Sequence, residues 1–214
     1  MAYTTANVSN ANVTVTHVYD STIKDRLIKF NNNPISYDEN GCPTSYNGKT
    51  YTWTKGKLTS VSSGTIPYGT NNYTYVYDAY GRRTQKNQSM LSLSGSMPSN
   101  ITINTSYDYD TSGRLIRETI LSCYTIGNFI TTEKLYLYDE SGVIGMIYTD
   151  NDISSTYYFD RNIRGDVIGI FDSTGTRIAK YSYDAWGNCT ISSTTNSTIA
   201  NANPFSALAL IAFR

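Results

Sequence analysis

An excess of charge of either sign is missing from this 214-residue chain. Its 17 Lys and Arg balance 17 Asp and Glu, and charged residues make up only 16% of it, against about 25% in an average soluble domain. A nucleic-acid binder usually carries a basic excess or stripe, so no nucleic-acid partner is expected. Histidine occurs once, at His17. A Ser/His/Asp or Cys/His catalytic arrangement would have to use it. Its place among alternating residues (Val13, Val15, His17, Tyr19) reads instead as a packed strand position.

Cysteine is scarce as well. Cys42, Cys123 and Cys189 are widely spaced, odd in number and without a Cys-x-x-C pair, which excludes a complete disulfide framework. They read as three small buried residues. With one histidine and no cysteine pair, a zinc site would need mostly carboxylates, so neither a metal nor a cofactor is expected. The longest apolar run, near residues 207–213, is far short of the roughly 20 residues that span a bilayer, and no membrane insertion is expected. The N-terminus lacks a basic segment followed by an apolar one, so no signal peptide is read in these residues.

What the chain has is tyrosine, 20 of them, with much Thr, Ser and Asn. It is poor in aliphatic core-formers. That composition suits strands and turns and suits a helical bundle badly. Intrinsic disorder is disfavoured by the many β-branched and aromatic residues and the absence of net charge.

The string Tyr-Asp-x-x-Gly recurs at Tyr37-Asp38-Glu-Asn-Gly41, Tyr77-Asp78-Ala-Tyr-Gly81, Tyr109-Asp110-Thr-Ser-Gly113, Tyr138-Asp139-Glu-Ser-Gly142 and Tyr183-Asp184-Ala-Trp-Gly187. Phe171-Asp172-Ser-Thr-Gly175 is the same string with Phe for Tyr. Asp suits the first position of a type I turn, where its carboxylate accepts backbone N–H groups. Gly follows where the chain needs positive φ, as in a type I turn closed by a glycine bulge. The residues before and after alternate: Tyr73, Tyr75 and Tyr77 share one strand face, with Thr74 and Val76 on the other. Each copy reads strand–turn–strand. Asp38, Asp78, Asp110, Asp139, Asp172 and Asp184 are therefore assigned as turn initiators. Gly41, Gly81, Gly113, Gly142, Gly175 and Gly187 are assigned as turn closers. The stretch Thr22–Phe30 reads as a short turn or strand, and Ser92–Ser99 and the polar Ser192–Thr198 read as loops.

The repeats resemble the Rhs/YD-repeat family. Beyond the short string, the run from Ile35 to Trp53 is similar to the family's repeat ending in tryptophan, and Lys57-Leu-Thr59 to the segment after it. The run Tyr157-Tyr-Phe-Asp-Arg-Asn-Ile-Arg-Gly-Asp-Val-Ile-Gly-Ile-Phe-Asp-Ser-Thr-Gly175, continued by Ile178-Ala-Lys-Tyr-Ser-Tyr-Asp-Ala-Trp-Gly-Asn188, resembles the family's repeat-associated core segment. The resemblance covers roughly residues 13–204 and is densest from 135 to 204. It divides the chain into YD repeats (1–134), a core segment (135–204) and a divergent tail (205–214). It implies β-hairpins wound into a hollow spiral shell that encapsulates a C-terminal toxic segment. In the family, Asn203-Pro204 leads into an Arg- and Tyr-rich stretch and then an Asp-Pro segment whose aspartates support self-cleavage. Here Phe205–Arg214 takes that place, no residue matches the cleavage motif, and a truncated or frameshifted copy is the expectation.

Competing chemistries are weaker. Asp108-Tyr-Asp110-Thr-Ser112 imitates the start of a calcium loop, but its twelfth position is Thr119 rather than Glu. Arg164-Gly165-Asp166 spells an integrin-binding tripeptide inside the repeat pattern. Asp150 with Asp152, or Asp108 with Asp110, could be paired glycosidase carboxylates only by proximity. The main rival from another class is an aromatic-rich module for cell-wall carbohydrate. The expectation is thus an all-β chain of consecutive antiparallel hairpins forming a curved sheet, part of a spiral shell. It is not an enzyme. It is a structural segment of a secreted or surface Rhs-type protein, partnered by the rest of that chain or by its toxin cargo, and by cell-wall glycans if the rival holds.

Overall fold

The computed structural model describes residues 7–8, 11–12, 16–63, 70–92, 99–125, 127–184 and 187–206. The interior of the expected loop at Ser92–Ser99 and the apolar run at 207–213 lie outside them. Strands β1 (Asn7–Val8) and β2 (Ala11–Asn12) pair with each other. The other sixteen are β3 (His17–Tyr19), β4 (Leu27–Phe30), β5 (Asn33–Tyr37), β6 (Pro43–Tyr46), β7 (Lys49–Thr54), β8 (Lys57–Ser63), β9 (Asn71–Tyr77), β10 (Arg83–Ser92), β11 (Ser99–Tyr109), β12 (Leu115–Thr125), β13 (Asn128–Asp139), β14 (Gly142–Asp150), β15 (Ile153–Arg161), β16 (Val167–Asp172), β17 (Arg177–Tyr183) and β18 (Cys189–Thr194). They form one sheet in sequence order from β3 to β18. Every strand therefore pairs with its chain neighbours, the sheet is antiparallel, and it does not close on itself. The all-β expectation holds, with one short helix, α1 (Ser197–Ala202), added.

That helix corrects one reading. Ser192–Thr198 is not a loop: β18 runs to Thr194 and α1 begins at Ser197. The polar composition that suggests a loop instead supplies a cap. Asn196 accepts the Ile199 N–H through its side-chain oxygen at 3.1 Å, satisfying one of the free donors of the first turn. Thr22–Phe30 divides into a loop and β4.

The chain forms two compact units, residues 1–105 with 122–129 and residues 106–121 with 130–214. In the first, among the described residues, only Thr105 and Ser122 are buried. Strand β5 alternates half-buried and exposed positions, while β4 and β6 are half-buried throughout. On β9, Tyr73, Tyr75 and Tyr77 are half-buried while Thr74 and Val76 are exposed. Most of its two-residue turns place Asn or Gly at positive φ, as at Asn31–Asn32 and Asn47–Gly48, the conformation that matches strand twist in a tight hairpin.

The second unit holds the apolar core. Met146, Val167 and Ile170 are fully buried, and Tyr136, Val143, Ala179, Tyr181, Ile199, Ala200 and Ala202 join them. Burying each such Val, Ile or Met side chain contributes about 1.5–3 kcal/mol. Helix α1 lies on this face: the Tyr181 hydroxyl donates to the Ala200 carbonyl at 2.6 Å. Phe205 then sets its ring edge-on against Tyr136 and Phe159.

Candidate functional site

The described residues hold no group of three or more His, Cys, Asp or Glu placed to take a metal ion. The recurring chemistry is the turn. At Asp38, Asp78, Asp110, Asp172 and Asp184 the Asp carbonyl accepts the N–H of the glycine three residues on, at 3.0–3.1 Å. The Asp N–H in turn donates to the carbonyl four residues on, at 2.9–3.1 Å. The glycines Gly41, Gly81, Gly113, Gly175 and Gly187 have φ between 80° and 86°. The carboxylate Oδ1 accepts the N–H of the residue four on at all five turns, at 2.8–2.9 Å. In three of them Oδ2 takes a further side chain: Arg82 at 2.7 Å, Arg114 at 2.7 Å and Asn188 at 2.6 Å. Each Asp thus spends its lone pairs on its own turn, the function for which Asp is suited there.

These bonds shift the carboxylates. The Arg114 guanidinium, then its N–H, holds Asp110 below the ordinary range. Burial opposes the fall at Asp78, but the Arg82 N–H and guanidinium outweigh it. The Thr174 hydroxyl lowers Asp172 and the Ser141 hydroxyl lowers Asp139. The Asp139 turn has a different geometry. Asp139 pairs directly with Gly142 across a two-residue loop, and Gly142 has φ 121°.

The tyrosine before each Asp has a role that spacing alone does not reveal. The Tyr37 hydroxyl donates to the Leu27 carbonyl at 2.6 Å, Tyr77 to Leu58 at 2.8 Å, Tyr138 to Leu115 at 2.8 Å and Tyr183 to Val167 at 2.7 Å. Trp53 does the same through Nε1, to Pro43 at 2.7 Å. Every acceptor is the first residue of the strand that precedes the donor's own strand, except Leu58, which is the second residue of β8. The ladder explains why that carbonyl is available. The Asp N–H bonds the carbonyl four residues on and its carbonyl accepts the glycine N–H, closing the turn, so the next pair outward, such as Tyr37 with Pro43, is a non-hydrogen-bonded one. Its backbone groups point away from each other, toward the outer neighbours. In three of these hairpins the following residue is then skipped as a bulge: Thr44, Thr84 and Ile168 have no partner in their registers, whereas after Tyr183–Cys189 the skipped residue, Ser192, comes three positions on. The aromatic donor closes onto the carbonyl that this geometry turns outward. These five donors each clasp their hairpin to the one before it.

Two further turns belong to the set and carry no Tyr-Asp-x-x-Gly string. Asn162 replaces Asp: the Gly165 N–H donates to its carbonyl at 2.9 Å, and its Oδ1 accepts the Arg164 and Asp166 N–H groups at 2.9 and 3.0 Å. The Arg164-Gly165-Asp166 tripeptide is the closing half of this turn. Its clasp is made by Arg161, whose Nη1 donates to the Ser141 carbonyl at 2.8 Å. Tyr19-Asp20 opens a longer version, in which Asp20 bonds the Arg26 guanidinium and the Thr22 and Ile23 N–H groups. Allowing Asn at the first position would find the one, and a Tyr-Asp pair followed by Arg after a longer loop would find the other.

Phe171 marks the opposite case. In an antiparallel meander successive turns alternate between the two ends of the strands. In the second unit, the turns after β13, β15 and β17 share one end and the Asp172 turn after β16 lies at the other. Among the described residues no clasp is made there, and a ring without a hydroxyl suffices; Arg177 lies over its face at 4.9 Å.

The remaining candidates are dispersed. His17 packs its ring on Phe30 with centroids 5.0 Å apart. Asn151 and Asp152 form the two-residue turn beside Asp150. Asp108 is an exposed strand residue while Asp110 starts a turn. The faces of Tyr73, Tyr75 and Tyr77 are met by cations: Lys86 at 5.6 Å, Arg83 at 4.5 Å and Lys57 at 5.5 Å. One polar cluster was not anticipated. Glu118 is buried with Lys134 at 3.1 Å and accepts the Tyr136 hydroxyl at 3.0 Å. Burial and the Glu118 charge drive the Tyr136 hydroxyl far above its ordinary range.

No family model matches the chain. It is 39% identical over 171 residues to the tRNA3(Ser)-specific nuclease WapA of Bacillus spizizenii, and 37% identical over 172 residues to the tRNA nuclease WapA of Bacillus subtilis. Each match takes in 78% of this chain and 6% of the relative, so the chain spans a small part of the curated proteins it resembles. Among solved structures it shares the fold of a segment of TcdB2-TccC3-TEV, with TM-score 0.64, 16% identity and 89% of this chain against 10% of that one. The Photorhabdus luminescens Tc holotoxin pore gives TM-score 0.58 with the same identity and coverage.

Proposed function

We propose that this chain is a structural segment of a larger Rhs/YD-repeat protein, a stretch of shell wall that encloses or presents a toxic segment carried elsewhere in that protein. The single observation that carries the reading is the clasp. The residues that repeat spend their polar groups on backbone, turn after turn, and so build a sheet. The similarity to 6% of each WapA protein and the fold shared with a segment of a Tc toxin support placement within a toxin-bearing chain. The nuclease activity in the WapA names belongs to those whole proteins, and this segment acts as scaffold. The site of action that follows is extracellular or at a cell surface, as part of the larger protein. The cations on Tyr73, Tyr75 and Tyr77 favour packing over sugar stacking, because they occupy the ring faces a sugar would use.

The test is made on the longer protein. Limited proteolysis of the whole polypeptide should leave its C-terminal segment intact while the same segment expressed alone is digested. Equal digestion in both settings overturns the shell reading. Titration of this chain with cell-wall glycans by calorimetry should give no heat of binding; a saturable heat would move the assignment to the carbohydrate module.

A further inference from the structure

One buried polar set takes part in neither the turns nor the clasps. Glu118 of β12 and Lys134 and Tyr136 of β13 all belong to the second unit. The Lys134 Nζ and the Tyr136 hydroxyl both donate to one carboxylate oxygen, Glu118 Oε2, at 3.1 and 3.0 Å. All three residues are buried. Across the ladder Lys134 faces Tyr148 and Tyr136 faces the fully buried Met146, and the Phe205 ring stands edge-on to Tyr136. An amine and a carboxyl group are thus held in contact away from water, with a hydroxyl donor on the same oxygen. Such a pair is costly as ions, because both charges have given up their hydration.

We infer that Lys134 and Glu118 condense after folding into an isopeptide bond, a covalent cross-link between β12 and β13. The ion pair is its starting state. The Glu118 carboxyl carbon lies one bond beyond the oxygen that Lys134 touches, so the fold already holds nucleophile and target together. The step balances within the pair. Lys134 passes one ammonium proton to Glu118 Oε2, leaving a neutral amine and a neutral acid. The Nζ lone pair attacks the carboxyl carbon. Oε2 then leaves as water, carrying the transferred proton and a second proton given up by Nζ. A Cδ–Nζ bond forms, a Cδ–Oε2 bond breaks, and nothing is oxidised or reduced. The Tyr136 hydroxyl, already bonded to Oε2, supports the departing oxygen and ends with its own proton. Burial and the Glu118 charge hold that proton on the hydroxyl, so it remains a donor. The product is a neutral amide, and the cost of two buried charges disappears with them. This inference rests on the geometry of the cluster and not on the shell reading, and either can fail without the other.

The experiment is intact mass spectrometry of the 214-residue chain, isolated unfolded and then refolded, with fragmentation of its digest. The unfolded chain should have the full mass of the sequence. After refolding the mass should fall by one water, and a branched peptide should join Glu118 to Lys134. Lys134→Met, which has no nucleophile, should keep its full mass. Tyr136→Phe, which keeps the ring, should slow the loss by on the order of a hundredfold. A refolded chain that retains the full mass overturns the inference. So does a water loss that fragmentation places elsewhere, or one that persists in Lys134→Met. Equal rates in Tyr136→Phe and the unaltered chain overturn the part given to the hydroxyl.

Discussion

The hydroxyl of Tyr138 donates to the carbonyl of Leu115, 2.8 Å away and 23 residues earlier. That one bond joins the start of β12 to the end of β13, at the end of the sheet where the Asp110 and Asp139 turns lie. Tyr138→Phe keeps the ring and removes the donor, and should destabilise by about 1 kcal/mol. In a chain of this length that lowers the melting midpoint by about 2–4 °C. Phe171→Tyr, at the end without clasps, should change nothing. Thermal denaturation of both variants checks the pair, and a silent Tyr138→Phe would remove the clasp from the account of stability.

Gly113 has φ 86° and Gly142 φ 121°. Valine at either forces a β-branched residue into a region it rarely enters, at about 1–3 kcal/mol. At Gly142 a Cβ would also meet the Arg161 guanidinium at 2.7 Å, so that clasp should loosen as well. Chemical denaturation of Gly113→Val and Gly142→Val gives the two losses, and unchanged midpoints would refute the turn assignments.

Glu118 and Lys134 form an ion pair with side chains about nine-tenths buried, at 3.1 Å. Removing one partner strands the other, so Lys134→Met should cost about 3–5 kcal/mol. Replacing both, as Glu118→Leu with Lys134→Met, should cost clearly less than either single change. A double-mutant cycle measures this; additive losses would show that the two charges do not compensate each other.

The turn carboxylates set the response to acid. The Arg26 side chain, with the Thr22 and Ile23 N–H groups, brings Asp20 from 3.8 to about 2. Asp78, Asp110, Asp139 and Asp172 are shifted the same way. A folded value below the unfolded one stabilises fully above the unfolded value and is lost as pH falls through the folded one. Stability should hold from neutral pH down to about 4 and decline from there toward about 2. Denaturation midpoints across that range test it, and a midpoint that does not move would contradict the turn bonds.

Tyrosine sets the response to alkali with the opposite sign. Burial, partly offset by Asn203, raises Tyr181 to about 12, and burial with the neighbouring Cys189 raises Tyr183 above its ordinary value of 10.0. Their contribution is complete below about 10 and is lost above it, where the unfolded chain ionises first. Tyrosinate absorbance should therefore rise in two phases, exposed rings first and Tyr181 and Tyr183 with unfolding. A single phase near the ordinary value would place those rings in solvent.

The turns were legible because Asp and Gly act locally, through bonds spanning three or four residues. Asn162 was hidden by a substitution that conserves the acceptor oxygen, and Asp20 by a longer loop. The clasp was illegible for another reason. Tyr37 and Leu27, or Tyr77 and Leu58, are separated by whatever lies between one turn and the next, and that length varies from hairpin to hairpin. Trp53 and Arg161 further disguise the rule, since three residue types satisfy one donor requirement. Helix α1 was missed because Asn196 and Ser197 look the same in a cap as in a loop, and only the burial of Ile199 and Ala200 separates them.

The strictly sequential strand order has a mechanical consequence. No strand waits for a partner from a distant part of the chain, so each hairpin can close as soon as its second strand is available. Tension applied at the β3 end would meet one hairpin at a time, and the first unit holds no buried apolar side chain among its described residues to resist. Extension from that end should proceed in small steps at low force, until it reaches the Met146–Ile170 layer and the remainder yields as a block.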